Sequence, residues 1–179
     1  MIAFAKILAV IAAVAIILHF RTIVFTRGAR GLAEPPPRDP TYWAILVAFA
    51  VFLAAMLTEI SRMNSLPSGI DTHFGEALVV GAFAWTFWAK RHLGKNYAPT
   101  AQNERPDQEI VRTGPYALVR HPIYWGNLAV ALGLILAFRL TWTWFTLAGL
   151  GAAIAWRIRN EERFLREKFG DQFRDGPAV

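Results

Sequence analysis

The stretch PIYWGNLAVALGLILAFRLTWTWFTLAGLGAAIAW, at residues 122–156, decides the fold class. It consists of two apolar runs, 122–138 and 141–156, and the only charged residue between them is Arg139. Apolar runs of this length are typical of helices that cross a membrane. Because the link Arg139-Leu140 is so short, we predict that the two runs form an antiparallel helical hairpin.

Three further apolar runs precede the hairpin, at residues 2–20, 42–58 and 74–89. A helix needs about 20 residues to cross the hydrocarbon core of a bilayer, with a working range of roughly 17–25. The third and fifth runs are slightly short, but basic side chains flank both and can extend to the interface. The sequence therefore predicts an all-α integral membrane protein with about five transmembrane helices.

The composition agrees with a membrane location and excludes several other classes. Of 179 residues, 55% are hydrophobic, the mean hydropathy is +0.32 and the net charge is +6. A net positive charge is compatible with binding to nucleic acid or to anionic lipid. The high hydropathy favours lipid, so we expect no nucleic-acid partner. Without cysteine there is no disulfide, thiolate metal site or cysteine nucleophile. The histidines are too dispersed to argue for a metal site.

The distribution of Lys and Arg predicts how the chain is oriented in the membrane. All but three of the 19 Lys and Arg residues lie after the first run, after the third run or in the C-terminal tail. The positive-inside rule places these segments in the cytoplasm and the N-terminus outside. We expect the inner membrane of a bacterium or an archaeon.

The segment before the hairpin, GPYALVRHPIYWG at residues 114–126, carries the first chemical signal. Pro122 suits the first turn of a helix, where its missing N–H is not needed, so His121 is the predicted N-cap. A helix N-terminus next to Arg120 is a site for an anion such as a carboxylate or a phosphate. The same pattern also suits a basic helix start at the membrane interface that binds no ligand.

Two further segments carry weaker signals. Arg157 and Glu161 lie on one face of a helix that continues from the fifth run into the cytoplasm. The adjacent carboxylates of Glu161 and Glu162 attract cations such as a sulfonium or an ammonium group. An amphipathic interfacial helix with ordinary salt bridges has the same pattern. The third segment, HLGKNY at residues 92–97, ends the run 74–89 with a glycine typical of a helix C-cap.

Together the three segments resemble a known family, the membrane methyltransferases typified by isoprenylcysteine carboxyl methyltransferase and the phospholipid N-methyltransferases. The resemblance rests on Leu93-Gly94-Lys95-Asn96-Tyr97, on the run 114–126, and on Glu161-Glu162 followed by Phe169-Gly170. It covers about residues 85–175. It implies that S-adenosylmethionine binds in a cytoplasm-facing pocket made by the loop, the end of the hairpin and the tail.

The resemblance also implies roles for individual residues. Arg157 is the candidate for holding an anionic acceptor, and Glu161 is the second candidate catalytic residue. The residues implied to bind the cofactor are Tyr97, Gly114, Tyr116, His121, Tyr124 and Glu162. We expect one methyltransferase domain over residues 1–179, with N-terminal spans at 1–60 and a cofactor-binding core at 74–175.

Methyl transfer to a lipophilic small molecule or a membrane lipid is the expected function. Carboxyl O-methylation of an isoprenylcysteine-like substrate is favoured because Arg157 could neutralise a carboxylate. Phospholipid N-methylation, of the phosphatidylethanolamine type, is the first alternative. An NADPH-dependent reductase of the sterol-reductase type and a non-enzymatic scaffold that binds anionic lipid are the others. The sequence gives no indication of the oligomeric state.

Overall fold

The computed structural model describes residues 39–96 and 109–170 of the chain, and this part is helical with no strand. Single-turn 3-10 helices follow the second α-helix and precede the third, at Gly94–Asn96 and Gly114–Ala117. The four α-helices of the described part are α1 (Pro40–Arg62), α2 (Ile70–Leu93), α3 (Pro122–Phe138) and α4 (Thr143–Phe169).

The helices agree closely with the apolar runs of the sequence. α3 has the bounds of the predicted run 122–138, and α4 continues beyond Trp156 into the charged segment, as predicted. α1 and α2 each extend beyond the predicted runs at both ends. The first run, 2–20, lies outside the described residues. Over the residues that the structure describes, the all-α class and the helical hairpin are therefore confirmed.

The number of membrane spans is not confirmed. Among the described helices, α1 is the one long and apolar enough to cross a membrane by length and composition. α3 is apolar but shorter, and the second half of α4 is strongly charged. Large apolar side chains nevertheless remain exposed on the helices, as expected for a surface in contact with lipid; they include Val47, Val51, Phe74, Val80, Phe87 and Phe145.

Small residues allow α2 and α3 to pack with their backbones in contact. A Cβ added to Gly75 of α2 would lie 2.6 Å from the carbonyl oxygen of Gly133 and 2.8 Å from Cα of Ala137. Further along the same interface, a Cβ on Gly126 would collide with the hydroxyl of Thr86. Such small-residue contacts are a common way for helices to associate in membranes. They make α2 and α3 one closely packed pair.

α1 pairs with α4, and a carboxylate joins the two helices at one end. Glu59 of α1 accepts hydrogen bonds from the backbone N–H groups of Thr141, Trp142 and Thr143 at 2.7, 2.9 and 2.9 Å. The hydroxyl of Thr143 also donates to it. Because Trp142 offers no side-chain cap to α4, Glu59 caps that helix from a distance and complements its dipole.

The core lies between the two pairs and consists of apolar side chains from all four helices. Phe52 and Met56 of α1 are fully buried together with Ile135 of α3 and Leu150 of α4. The four helices alternate in direction, so the starts of α1 and α3 lie at the same end as the end of α2 and the charged half of α4. The predicted site residues belong to this end.

Candidate functional site

The start of α3 is held in place by the neighbouring helix α2. Pro122 occupies the first turn of α3, and the indole N–H of Trp85 donates a 2.8 Å hydrogen bond to its carbonyl oxygen. His121 is the N-cap, as predicted, but its side chain does not bond to the helix backbone. The ring is instead directed to α4, where Nε2 lies 3.4 Å from Oε1 of Glu162.

Three basic side chains converge on the carboxylate of Glu162. Besides His121, Nη1 of Arg120 lies 3.9 Å from Oε1, and Nη2 of Arg166 donates to Oε2 at 3.1 Å. The Glu162 side chain is 23% exposed, so it can reach a ligand as well as these partners. An open cavity of about 420 Å³ adjoins it, and the residues lining that cavity are Arg159, Glu162, Arg163, Arg166 and Glu167.

A second cluster joins α3 and α4 one turn away. The hydroxyl of Tyr124 donates to Oε2 of Glu161 at 2.9 Å, and Nε of Arg157 donates to the same hydroxyl at 3.2 Å. Arg157 is almost fully buried, with only 4% of its side chain exposed. The hydroxyl of Tyr124 therefore lies between a carboxylate and a guanidinium group.

Asp39, which the sequence analysis did not select, completes this cluster from α1. Its carboxylate forms a buried ion pair with Nη1 of Arg157, and the amide of Asn160 lies 3.4 Å away. It is also the N-cap of α1, accepting from the backbone N–H of Thr41 at 2.9 Å and from its hydroxyl at 2.6 Å. Burial opposes ionisation of Asp39, but the bonds from Thr41 and the charge of Arg157 hold its pKa below the usual value.

The sequence contained one signal for Asp39 and none for its pairing with Arg157. Asp followed by Pro40 directly before an apolar run is a typical start of a helix, so the capping role could have been predicted. The contact with Arg157 joins residues 118 positions apart in the chain. No local pattern reports a contact of that kind.

The turn Gly114–Ala117 brings Tyr116 to the same end of the molecule. Gly114 has a φ of +58°, and a Cβ there would lie 2.5 Å from the nearest ring atom of His92, so the position requires glycine. Tyr116 is partly buried; that burial and then the charge of Glu161 raise its pKa above the usual value. The phenol therefore remains protonated at neutral pH and available as a hydrogen-bond donor.

Most of the predicted site residues thus lie at one end of the helices. The two clusters contain His121 with Glu162, and Tyr124 with Arg157 and Glu161. Gly114 and Tyr116 lie on the adjoining turn. Tyr97 lies outside the described residues. The arrangement offers the carboxylates of Glu161 and Glu162 and several basic groups, a set suited to a ligand with both kinds of charge.

Comparison with known proteins identifies the class. The family model for phospholipid methyltransferase matches residues 70–172, more than half of the chain. The chain therefore belongs to the phospholipid methyltransferase family, which confirms the resemblance described above and indicates a membrane methyltransferase. The searches of curated proteins and of solved structures gave no match. Because the family match begins at Ile70, the first residue of α2, it does not include α1 or Asp39.

Proposed function

We propose that this chain transfers a methyl group from S-adenosylmethionine to a lipophilic acceptor that reaches the site from the bilayer. The observation that carries the proposal is the meeting of His121 with Glu162, and of Tyr124 with Glu161, across α3 and α4. Both contacts lie within the part of the chain that matches the family. The bound cofactor would supply an activated methyl group on a sulfonium sulfur.

The chemistry of the two clusters fits the charges of this cofactor. The N-terminus of α3, with Arg120 and His121, suits the carboxylate of the methionine moiety. Glu162, which lies among these basic groups, suits the adjacent ammonium group. Glu161 and the ring of Tyr124 suit the cationic sulfonium. The family resemblance implies that the turn at Gly114 and Tyr116 would line the rest of the cofactor site; it implies the same role for Tyr97.

The contacts of Arg157 bear on the class of acceptor. Carboxyl O-methylation of an isoprenylcysteine-like acid was favoured because Arg157 could bind the acceptor carboxylate. In the structure that guanidinium is buried and paired with Asp39. A carboxylate acceptor would have to displace Asp39, whereas an amine needs no such exchange and finds a carboxylate in Glu161. We therefore place amine N-methylation, of the phospholipid type, before carboxyl O-methylation.

The two reactions make different demands on the protein. An amine must lose a proton before its lone pair attacks the methyl carbon, and Glu161 is the candidate acceptor of that proton. A carboxylate is already ionised, so its methylation needs only positioning and the exclusion of water. In both cases the cofactor would supply the methyl group from its sulfonium sulfur and would leave as a neutral thioether. The family match gives the reductase alternative no support.

Calorimetric titration of the detergent-purified chain tests the cofactor. We expect binding of S-adenosylhomocysteine and no binding of NADPH. A Glu162→Ala variant should lose the first ligand, while Glu76→Ala, at the opposite end of α2, should bind it as the wild type does. If a folded sample bound only NADPH, or bound neither ligand, the proposed function would be wrong.

Transfer of a labelled methyl group then tests the acceptor. Phosphatidylethanolamine vesicles and S-farnesyl-N-acetylcysteine offer an amine and a carboxylate, respectively. We expect label in the phospholipid. Label in the farnesylated acid alone would restore carboxyl O-methylation as the function.

A further inference from the structure

Asp39 belongs to the candidate site although it lies on a helix outside the family match. It is 5% exposed, and its carboxylate contacts the guanidinium of Arg157, which in turn contacts the hydroxyl of Tyr124. That hydroxyl contacts Glu161. One continuous series of polar contacts thus leads from the start of α1, through α4 and α3, to a carboxylate that the proposed function places beside the reacting methyl group.

The direction of each hydrogen bond in this series follows from the groups themselves. Arginine has only donors, so its Nε–H must donate to the oxygen of Tyr124. A phenol has a single hydrogen, and with Arg157 as a donor partner that hydrogen is directed to Glu161. The position of Arg157 therefore determines which way Tyr124 donates, and so orients Glu161.

Asp39 and Glu161 are also competitors for the same guanidinium. Arg157 is buried, and a buried guanidinium without a carboxylate partner is strongly unfavourable. If Asp39 were neutral, the nearest remaining anion of this cluster would be Glu161, which already shares Tyr124 with Arg157. Arg157 would then pair with Glu161 and turn that carboxylate away from a cationic ligand.

We propose that Asp39 is a positioning residue: by occupying Arg157 it keeps the carboxylate of Glu161 available to the cationic centre of the bound ligands. The inference rests on the proposed function. It assigns to α1 a part in the site that the family region does not contain, and it makes Arg157 an internal partner of the site and not the group that binds the acceptor.

Two cofactor analogues measure this effect without any acceptor. S-adenosylhomocysteine is neutral at sulfur, whereas sinefungin carries an amine on the carbon that replaces the methylated sulfur. The ratio of their dissociation constants therefore reports a carboxylate near the methyl position. We expect the wild-type chain to prefer sinefungin. In Asp39→Asn the preference for sinefungin should fall about tenfold, which is the effect expected from the loss of one charge-assisted contact. The affinity for S-adenosylhomocysteine should change little.

The double variant Asp39→Asn/Arg157→Gln distinguishes competition from a merely structural role. It removes the competing guanidinium, while Tyr124 keeps the hydroxyl that donates to Glu161. Glu161 should therefore be released and the preference for sinefungin should return. If Asp39 only stabilised the fold, the double variant would be no better than the single one. Titrations at about 1 M salt exclude a long-range effect of the lost charge, because the Debye length there is ~3 Å.

A second variant tests the series from its other end. Tyr124→Phe leaves the ion pair of Asp39 with Arg157 intact and removes the hydroxyl that orients Glu161. It should also lower the preference for sinefungin, and this result is informative even if Asp39→Asn does not fold. Asp71→Asn, which changes an exposed carboxylate at the opposite end, serves as the control for a lost negative charge.

The outcomes separate the two proposals. If the wild type binds neither analogue, the proposed function is wrong. If it binds both without preferring sinefungin, or if Asp39→Asn and Tyr124→Phe keep the wild-type preference, the role assigned to Asp39 is wrong and the proposed function stands. A double variant no better than Asp39→Asn would also overturn the competition with Glu161.

Discussion

The contact between α2 and α3 predicts a large effect for the addition of one methyl group. In Gly75→Ala the new Cβ would lie within 3.0 Å of backbone atoms of α3, at Gly133 and Ala137. Backbone atoms cannot rotate away, so the helices must separate. Overpacking of this kind lowers the free energy of unfolding by about 3 kcal/mol, and the better helix propensity of alanine raises it by about 1 kcal/mol. The net loss of about 2 kcal/mol corresponds to a thermal unfolding midpoint that is lower by about 4–8 °C.

Gly81→Ala is the matched control on the same helix. A Cβ at Gly81 has no atom within 4 Å, so this variant should be as stable as the wild type or up to about 1 kcal/mol more stable. Both midpoints can be measured by thermal unfolding in detergent, followed by circular dichroism at the helix band. A Gly75→Ala midpoint equal to or above that of Gly81→Ala would refute the close packing of α2 on α3.

Three further predictions concern other contacts. Glu59→Gln should cost about 1–2 kcal/mol of stability in thermal unfolding, because an amide is a poorer cap for α4 than a carboxylate; Glu76→Gln, which is exposed, should be neutral. Gly114→Ala should weaken binding of S-adenosylhomocysteine about tenfold, whereas Gly170→Ala, which has a similar positive φ but no atom within 4 Å, should leave it unchanged. The pKa of Asp39 is lower in the folded protein than its ordinary value of 3.8, so ionised Asp39 stabilises the fold at any pH above 3.8. This stabilisation is lost as the pH falls through the lower pKa of the folded state. Acid should therefore lower the thermal midpoint of the wild type more than that of Asp39→Asn, and equal acid sensitivity would contradict the prediction.

The sequence predicted the features that depend on neighbouring residues. The bounds of α3 follow from Pro122 at its start and the end of the apolar run at Arg139. The continuation of α4 follows because no proline or glycine interrupts the chain between Trp156 and Phe169. The site residues were selected because His121 and Glu162 belong to motifs that are each contiguous in the sequence.

The features that were missed depend on which helices are neighbours. Several glycines have no close neighbour, and nothing in the sequence distinguishes Gly75 from Gly81 until α3 is known to pack on α2. The cap that Glu59 provides for α4 and the ion pair of Asp39 with Arg157 join distant parts of the chain. The sequence predicted that Arg157 binds the acceptor, and the ion pair with Asp39 at the start of α1 is what speaks against that role.

The location of the site between two helix pairs explains why contacts distant from it should influence it. α2 packs on α3, and α1 packs on α4, so the clusters at Glu161 and Glu162 join side chains of one pair to side chains of the other. Any change that moves the pairs apart therefore alters these contacts. Within the α1–α4 pair, Asp39 and Glu59 hold the two ends, while the middle is apolar. Such an arrangement keeps the polar contacts at the two ends of α1, where a bilayer would leave them in its interfaces, and fixes α4 so that Glu161 and Glu162 face the start of α3.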